Sequence, residues 1–131
     1  MPARPLSPHL SVYKMSRYSL ATSIFNRFTG LGLSVGLVLL VYWLASVAGG
    51  AAAQARATQL LSHPLMKLVF AACIGAFCYH LVAGIRHLVW DTGRGLERSQ
   101  SQRSAYLVVA ISIVLTLLIG YCAFVLRGHA P

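Results

Sequence analysis

Two histidines stand seven residues apart in the segment Tyr79-His80-Leu81-Val82-Ala83-Gly84-Ile85-Arg86-His87-Leu88-Val89-Trp90-Asp91. Seven residues are about two α-helical turns, so both imidazoles fall on one helix face. His80 lies in a run, Leu68 to Ile85, that contains no Lys, Arg, Asp or Glu. A polar ring at hydrocarbon depth is costly and needs a partner. A neutral imidazole is a common axial ligand of haem iron. Gly84, one turn on, removes a side chain where a flat macrocycle would approach the backbone. The same residues admit a plainer use, in which His80 hydrogen-bonds to a neighbouring helix and Gly84 lets helices pack closely. At 100° per residue, Cys73, Ala76, Phe77, His80, Gly84, His87 and Asp91 share one stripe.

A second constellation precedes it. Ser23, Asn26 and Arg27 recur at i, i+3 and i+4 and share a helix face, which Gly30 and Ser34 continue. An arginine and a serine at the edge of the hydrocarbon suit the carbonyl or methoxy oxygens of a quinone. Arg27 equally suits a haem propionate, and an arginine so placed often only snorkels to lipid phosphate. Antiparallel neighbouring helices would set Arg27 and His87 at similar depth.

Helices that cross a bilayer must position these residues. The chain has 131 residues, of which 57% are hydrophobic and 10% charged, and its only acidic residues are Asp91 and Glu97. Soluble domains carry about 25% charged residues. Phe28 to Ala55, Leu68 to Ile85 and Ser104 to Leu126 are free of Lys, Arg, Asp and Glu. A transmembrane helix needs roughly 20 apolar residues, and lipid leaves no other way to satisfy the backbone of a single segment. The expectation is an all-α membrane protein with three transmembrane helices, about 28–47, 65–90 and 105–126. It forms a single domain, 1–131, with an amino-terminal arm over 1–22. The loops are too short for a second core. The longest, Gly49 to His63, has an Ala-rich middle suited to a short surface helix. The first apolar run starts late, after a polar arm, and lacks a cleavage site, which argues against a signal peptide. Cys73, Cys78 and Cys122 fall inside spans and read as small core residues, not disulfides or metal ligands.

Positive charge predicts orientation. Arg4, Lys14, Arg17, Arg27, Arg86, Arg94, Arg98 and Arg103 fall at one end of the spans, and Arg56, Lys67 and Arg127 at the other. The first group marks the cytoplasmic side, which puts the amino terminus inside and the carboxyl terminus outside. The net charge of +9 is then mostly a topology signal. Scattered juxtamembrane basic residues are a poor nucleic-acid surface. A transporter should line a polar path through the whole membrane, and the outer halves of these spans are almost wholly apolar.

The arm Arg4-Pro5-Leu6-Ser7-Pro8-His9-Leu10-Ser11-Val12-Tyr13, then Ser23-Ile24-Phe25-Asn26-Arg27-Phe28-Thr29-Gly30, then Tyr79-His80 through Asp91, taken in order, resemble the cytochrome b556 subunits of succinate dehydrogenase. These are the larger membrane-anchor chains of respiratory complex II. The resemblance spans the whole chain. It implies a six-helix heterodimeric membrane domain formed with a second three-span anchor subunit. It implies one haem b between the two, with a histidine from each. His80 matches the ligand to the haem iron, and His87 and Arg27 match the vicinity of the haem propionates. Ser23 and Arg27 match the quinone pocket, completed by the iron–sulfur subunit and a tyrosine of the other anchor. The arm would lie against the soluble subunits.

Many members have His where Asn26 stands, so haem contact through that side chain is not carried over. The implied function is to hold the iron–sulfur and flavoprotein subunits at the membrane and pass electrons from succinate oxidation to ubiquinone or menaquinone. The sequence holds no flavin site or iron–sulfur cysteine set, so no succinate-oxidising site is expected in this chain. Asp91 and water are plausible proton carriers from the cytoplasmic side. The implied location is the bacterial inner membrane. A haem-free structural anchor of a dehydrogenase or fumarate reductase is the alternative.

Overall fold

The computed structural model describes residues 17–128. The described residues form four helices: α1, Arg17–Ala48; α2, Ala51–Leu61; α3, Pro64–Asp91; and α4, Arg98–Gly128. Three are long and apolar enough to cross a membrane, over Leu20–Ala48, Pro64–Asp91 and Arg98–Ala123. The first two enclose the expected spans 28–47 and 65–90, and the third begins before the expected 105–126 and ends three residues short of it. The stretch read as an arm through residue 22 is already helical from Arg17. At 1.5 Å per residue the 32 residues of α1 run roughly 48 Å, well over the 30 Å or so of hydrocarbon. Its polar start therefore projects past the apolar layer. Residues 1–16, the rest of the arm, lie outside the described residues.

The short helix foreseen in the first loop is α2. It begins after Gly50, whose φ of 84° is a left-handed conformation that glycine adopts without strain. Ala57 is its buried residue. Pro64 then opens α3 at the position where its missing N–H costs nothing, and His63 Nδ1 accepts from Leu65 N at 3.3 Å. Between α3 and α4, Gly93 and Gly95 take φ of 77° and 74°, and the indole of Trp90 donates to the Gly95 carbonyl at 3.1 Å.

Helix α3 is central and packs against both α1 and α4. The interior is built from small and polar residues: Ala57, Cys78, Ala83, Ala105 and Val108, with Thr22, Ser46, Arg86 and Ser112. The large apolar side chains point outward. Only 6% of the most apolar window of α1 is buried within the chain, with 11% for α3 and 17% for α4. In water that exterior would be ruinous, but in lipid it costs nothing. Small residues bring the helices close, and hydroxyls bond back along their own helix. Ser112 Oγ donates to the Val108 carbonyl at 2.6 Å and Thr116 Oγ1 to the Ser112 carbonyl at 2.7 Å.

The cysteines divide. Cys78 is buried and Cys73 packs against α1 at Gly36, where an added Cβ would stand 3.1 Å from Cys73 Sγ. Cys122 is on an exposed face of α4 and is not a core residue of this chain. All three are free thiols.

Candidate functional site

One end of the bundle gathers the start of α1, the end of α3 and the start of α4. Contacts along α1 and α3 set an antiparallel register. Thr22 meets Arg86, Gly30 meets His80 and Gly36 meets Cys73. The expected level match of Arg27 with His87 is therefore off by more than a helical turn. Ser23 is the residue level with His87, and Arg27 lies about 6 Å deeper, closer to the level of His80.

His80 lies against α1. Its Nδ1 is 3.1 Å from the backbone carbonyl of Asn26 and 3.3 Å from Thr29 Oγ1. A carbonyl oxygen only accepts, so in the neutral ring Nδ1 carries the proton. The single Thr29 hydroxyl proton is placed to donate to the carbonyl of Phe25 or of Asn26, both at 2.9 Å, which leaves its lone pair toward Nδ1–H. The tautomer is thereby fixed, and Nε2 keeps its lone pair. The ring rests on Gly30, where a Cβ would come within 3.1 Å of Cε1. The glycine that makes room for His80 is thus on α1. Gly84, expected to leave space for a flat macrocycle or to let helices pack closely, has open space beside it and no helix against it. The two readings of His80 are compatible, because the bond to the neighbouring helix uses one nitrogen and frees the other.

Asn26 serves His80 through its main chain, which any residue supplies. Its side-chain Oδ1 is buried without a hydrogen-bond partner. Ser23 is half-buried beside it, and Arg27 is exposed on the outer surface of α1. His87 is half-buried and meets Trp90 edge to face, ring centroids 5.3 Å apart. Asp91 is exposed at the last residue of α3. The site residues inferred from sequence thus gather toward one end of the bundle, with His80 innermost. An open apolar groove of about 700 Å³, lined by Leu33, Gly36, Leu37, Phe70, Cys73 and Phe77 among others, ends one turn before His80 on α3.

Sequence reasoning treated Arg86 as a topology charge, and here the structure differs most. Arg86 is 7% exposed. Its Nη1 donates to Thr22 Oγ1 at 2.8 Å, its Nε to Ser104 Oγ at 2.9 Å, and its Nη2 to the Ser101 carbonyl at 2.8 Å and Ser101 Oγ at 3.3 Å. The guanidinium carbon lies 4.0 Å from the centre of the Trp90 ring, a cation–π contact. Tyr79, two turns before Arg86, donates to the Thr22 carbonyl at 3.0 Å. A usable signal was present. Tyr79 and Arg86 repeat the seven-residue spacing of His80 and His87, and Ser101 and Ser104 stand on one face of α4.

The chain resembles known proteins along nearly its full length. The family described as succinate dehydrogenase/fumarate reductase transmembrane subunit matches residues 1–119. The succinate dehydrogenase cytochrome b556 subunit of Paracoccus denitrificans is 40% identical over 115 residues, 88% of each chain. That of Rickettsia prowazekii is 38% identical over 116 residues, 88% of this chain and 90% of the relative. The mitochondrial succinate dehydrogenase cytochrome b560 subunit of Bos taurus is 35% identical over 113 residues, 85% of this chain and 66% of the relative.

Proposed function

The chain belongs to the succinate dehydrogenase/fumarate reductase transmembrane subunits, multi-pass membrane proteins, and from that premise we propose that it carries haem b on His80 and lines a quinone-reduction site with Ser23 and Arg27. It does so as the larger anchor of a succinate dehydrogenase, beside a second three-span subunit and beneath the iron–sulfur and flavoprotein subunits. The names of its relatives supply the cytochrome and the dehydrogenase. The observation that carries the haem is the state of His80. Its Nδ1–H is committed to the Asn26 carbonyl, so Nε2 is the nitrogen left to ligate. A metal-bound imidazole needs just such a second partner to fix its ring and tautomer.

The residues present fit the group. Gly30 leaves room for the His80 ring, Gly84 one turn on has open space beside it, and the groove that ends one turn before His80 is apolar. His87 and Arg27 lie toward the end of the bundle where ionised propionates would reach polar surroundings. Bound haem supplies a one-electron carrier between the protein's electron donor and its acceptor. His80 would hold the iron from this chain, and as no second histidine lies at that depth among the described residues, a further ligand would come from the partner anchor.

Quinone reduction consumes two electrons and two protons. The electrons arrive from the iron–sulfur subunit. Ser23 donates to a quinone oxygen and Arg27 stabilises the negative charge that develops there. Arg27 is exposed on this chain and so free to meet a ligand held between subunits. Asp91, exposed at the end of α3, takes up protons from the aqueous side. That side is the cytoplasm of a bacterial cell, with the carboxyl terminus periplasmic, as the basic residues at the ends of the helices indicate.

Three outcomes test this reading. His80→Ala in the purified complex should weaken or abolish the low-spin haem spectrum; an unaltered bis-histidine spectrum would remove His80 as the ligand. Arg27→Leu should slow quinone reduction roughly ten- to hundredfold, as expected for about 1.5–3 kcal/mol lost from a charge-assisted hydrogen bond. Succinate oxidation by a soluble artificial acceptor should hardly change, and an equal fall in both activities would make Arg27 an assembly residue instead. For orientation, cysteines at Gln54 and Ser99 should be compared in a background without native cysteines. An impermeant thiol reagent added to intact cells should modify the first and spare the second, and the reverse pattern would invert the topology.

A further inference from the structure

We propose that Arg86 is a positioning residue for the quinone site, acting through Thr22 on Ser23. The inference rests on the reading of Ser23 as a quinone-binding residue. Arg86 itself is too deeply enclosed to meet a ligand from outside the bundle. What it does hold is the start of α1. Its Nη1 grips the Thr22 side chain, while its Nε and Nη2 grip Ser104 and Ser101 of α4. Trp90 stacks on the guanidinium and is itself tied to Gly95 in the loop that leads into α4. Tyr79 takes the Thr22 carbonyl. Thr22 is therefore fixed by side chain and main chain at once, by two α3 residues, and Ser23 follows it directly.

Packing alone does not call for this arrangement. The hydrogen-bonding side-chain and carbonyl groups around Arg86 are all neutral oxygens, so the buried cation carries a desolvation cost with no carboxylate among them to offset it. Well-packed apolar residues would hold three helices together as firmly. A planar fork differs in fixing direction, because each N–H demands an acceptor along its own axis. The Arg86 fork sets the rotation of α1 about its axis relative to α3 and α4. That rotation decides where Ser23 Oγ stands. A donor moved off the line to its acceptor loses most of that hydrogen bond, and with it part of the binding of the quinone. Lysine would keep the charge and lose the fork.

The test uses the purified complex and a ubiquinone bearing one isoprene unit. Thr22→Val removes the α1 end of the clamp while keeping its volume. It should raise the KM for this quinone about tenfold, the effect of losing one hydrogen bond to a charged group. The kcat, the haem content and dye-linked succinate oxidation should be unchanged. Thr22→Ser, which keeps the hydroxyl, should restore the normal KM, and Arg86→Lys should raise it as Thr22→Val does. Ser23→Ala, measured alongside, should also raise it. If Ser23→Ala raises KM while assembled Thr22→Val or Arg86→Lys does not, the positioning role is overturned. If Ser23→Ala leaves KM unchanged, the quinone reading of Ser23 fails and the proposal falls with it. If neither Thr22→Val nor Arg86→Lys assembles while Thr22→Ser does, the network is merely structural, and the proposal is overturned.

Discussion

A guanidinium enclosed among transmembrane helices constrains everything near it. Arg86 carries a permanent charge into a bundle whose other deep groups are methyls, rings and hydroxyls. It is tolerable there only if its donors find oxygens, and one helix cannot supply them. Thr22 must come from α1, and Ser101 and Ser104 from α4. The demand draws the amino-terminal turns of α1 and α4 onto the last turns of α3. The face of the guanidinium needs cover as well, and Trp90 provides it. By donating to Gly95, Trp90 also folds back the connection to α4. One charge thus organises the whole end of the molecule at which the candidate site lies.

The rest of the bundle follows the logic of lipid. Small residues line the interior and large apolar ones the exterior, so close backbone approach replaces hydrophobic burial as the source of cohesion. That leaves the chain with few side chains able to do chemistry at depth, and makes the setting of His80 informative. Its ring is held by an acceptor that belongs to the backbone of α1, and is shared with the Thr29 hydroxyl. The orientation of the imidazole depends on how α1 seats against α3, and Arg86 and Tyr79 bond to Thr22 in that seam, one turn before Asn26. The candidate haem ligand His80 and the candidate quinone residue Ser23 thus lie along the same helix seam, with Arg27 on the outer face of α1.

Much of this was legible in the sequence. Long charge-free runs can be read directly, because bilayer thickness and backbone satisfaction allow a single interpretation. The short helix between the first two spans followed from its alanines. His80 stood out because a lone imidazole at that depth needs a reason. What escaped depends on which face of each helix turns inward, and at what register. In the sequence Gly30 reads only as continuing a polar face, and helix pairing makes it the residue on which the His80 ring rests. Arg27 and His87 seemed level because both lie near helix ends, but α1 begins at Arg17, further out than its apolar run suggested. Arg86 resembled the other basic residues that flank spans, since a charge near a helix end satisfies the topology rule whether it faces water or the bundle interior. Its partners are three small hydroxyl residues far away in sequence, with no charge to announce the pairing. Cys122 shares the apolar company of Cys73 and Cys78, but in a membrane helix such company marks the outside as readily as the core.

The central claim is that His80 is held by α1 through one nitrogen so that the other can bind haem iron. A density map of the intact complex, sharp enough to orient imidazole rings, tests it most directly. The account predicts iron on His80 Nε2, with Nδ1 still within hydrogen-bond distance of the Asn26 carbonyl and the ring still resting on Gly30. Iron ligated by another residue of this chain, or a bound His80 turned away from α1, would contradict it.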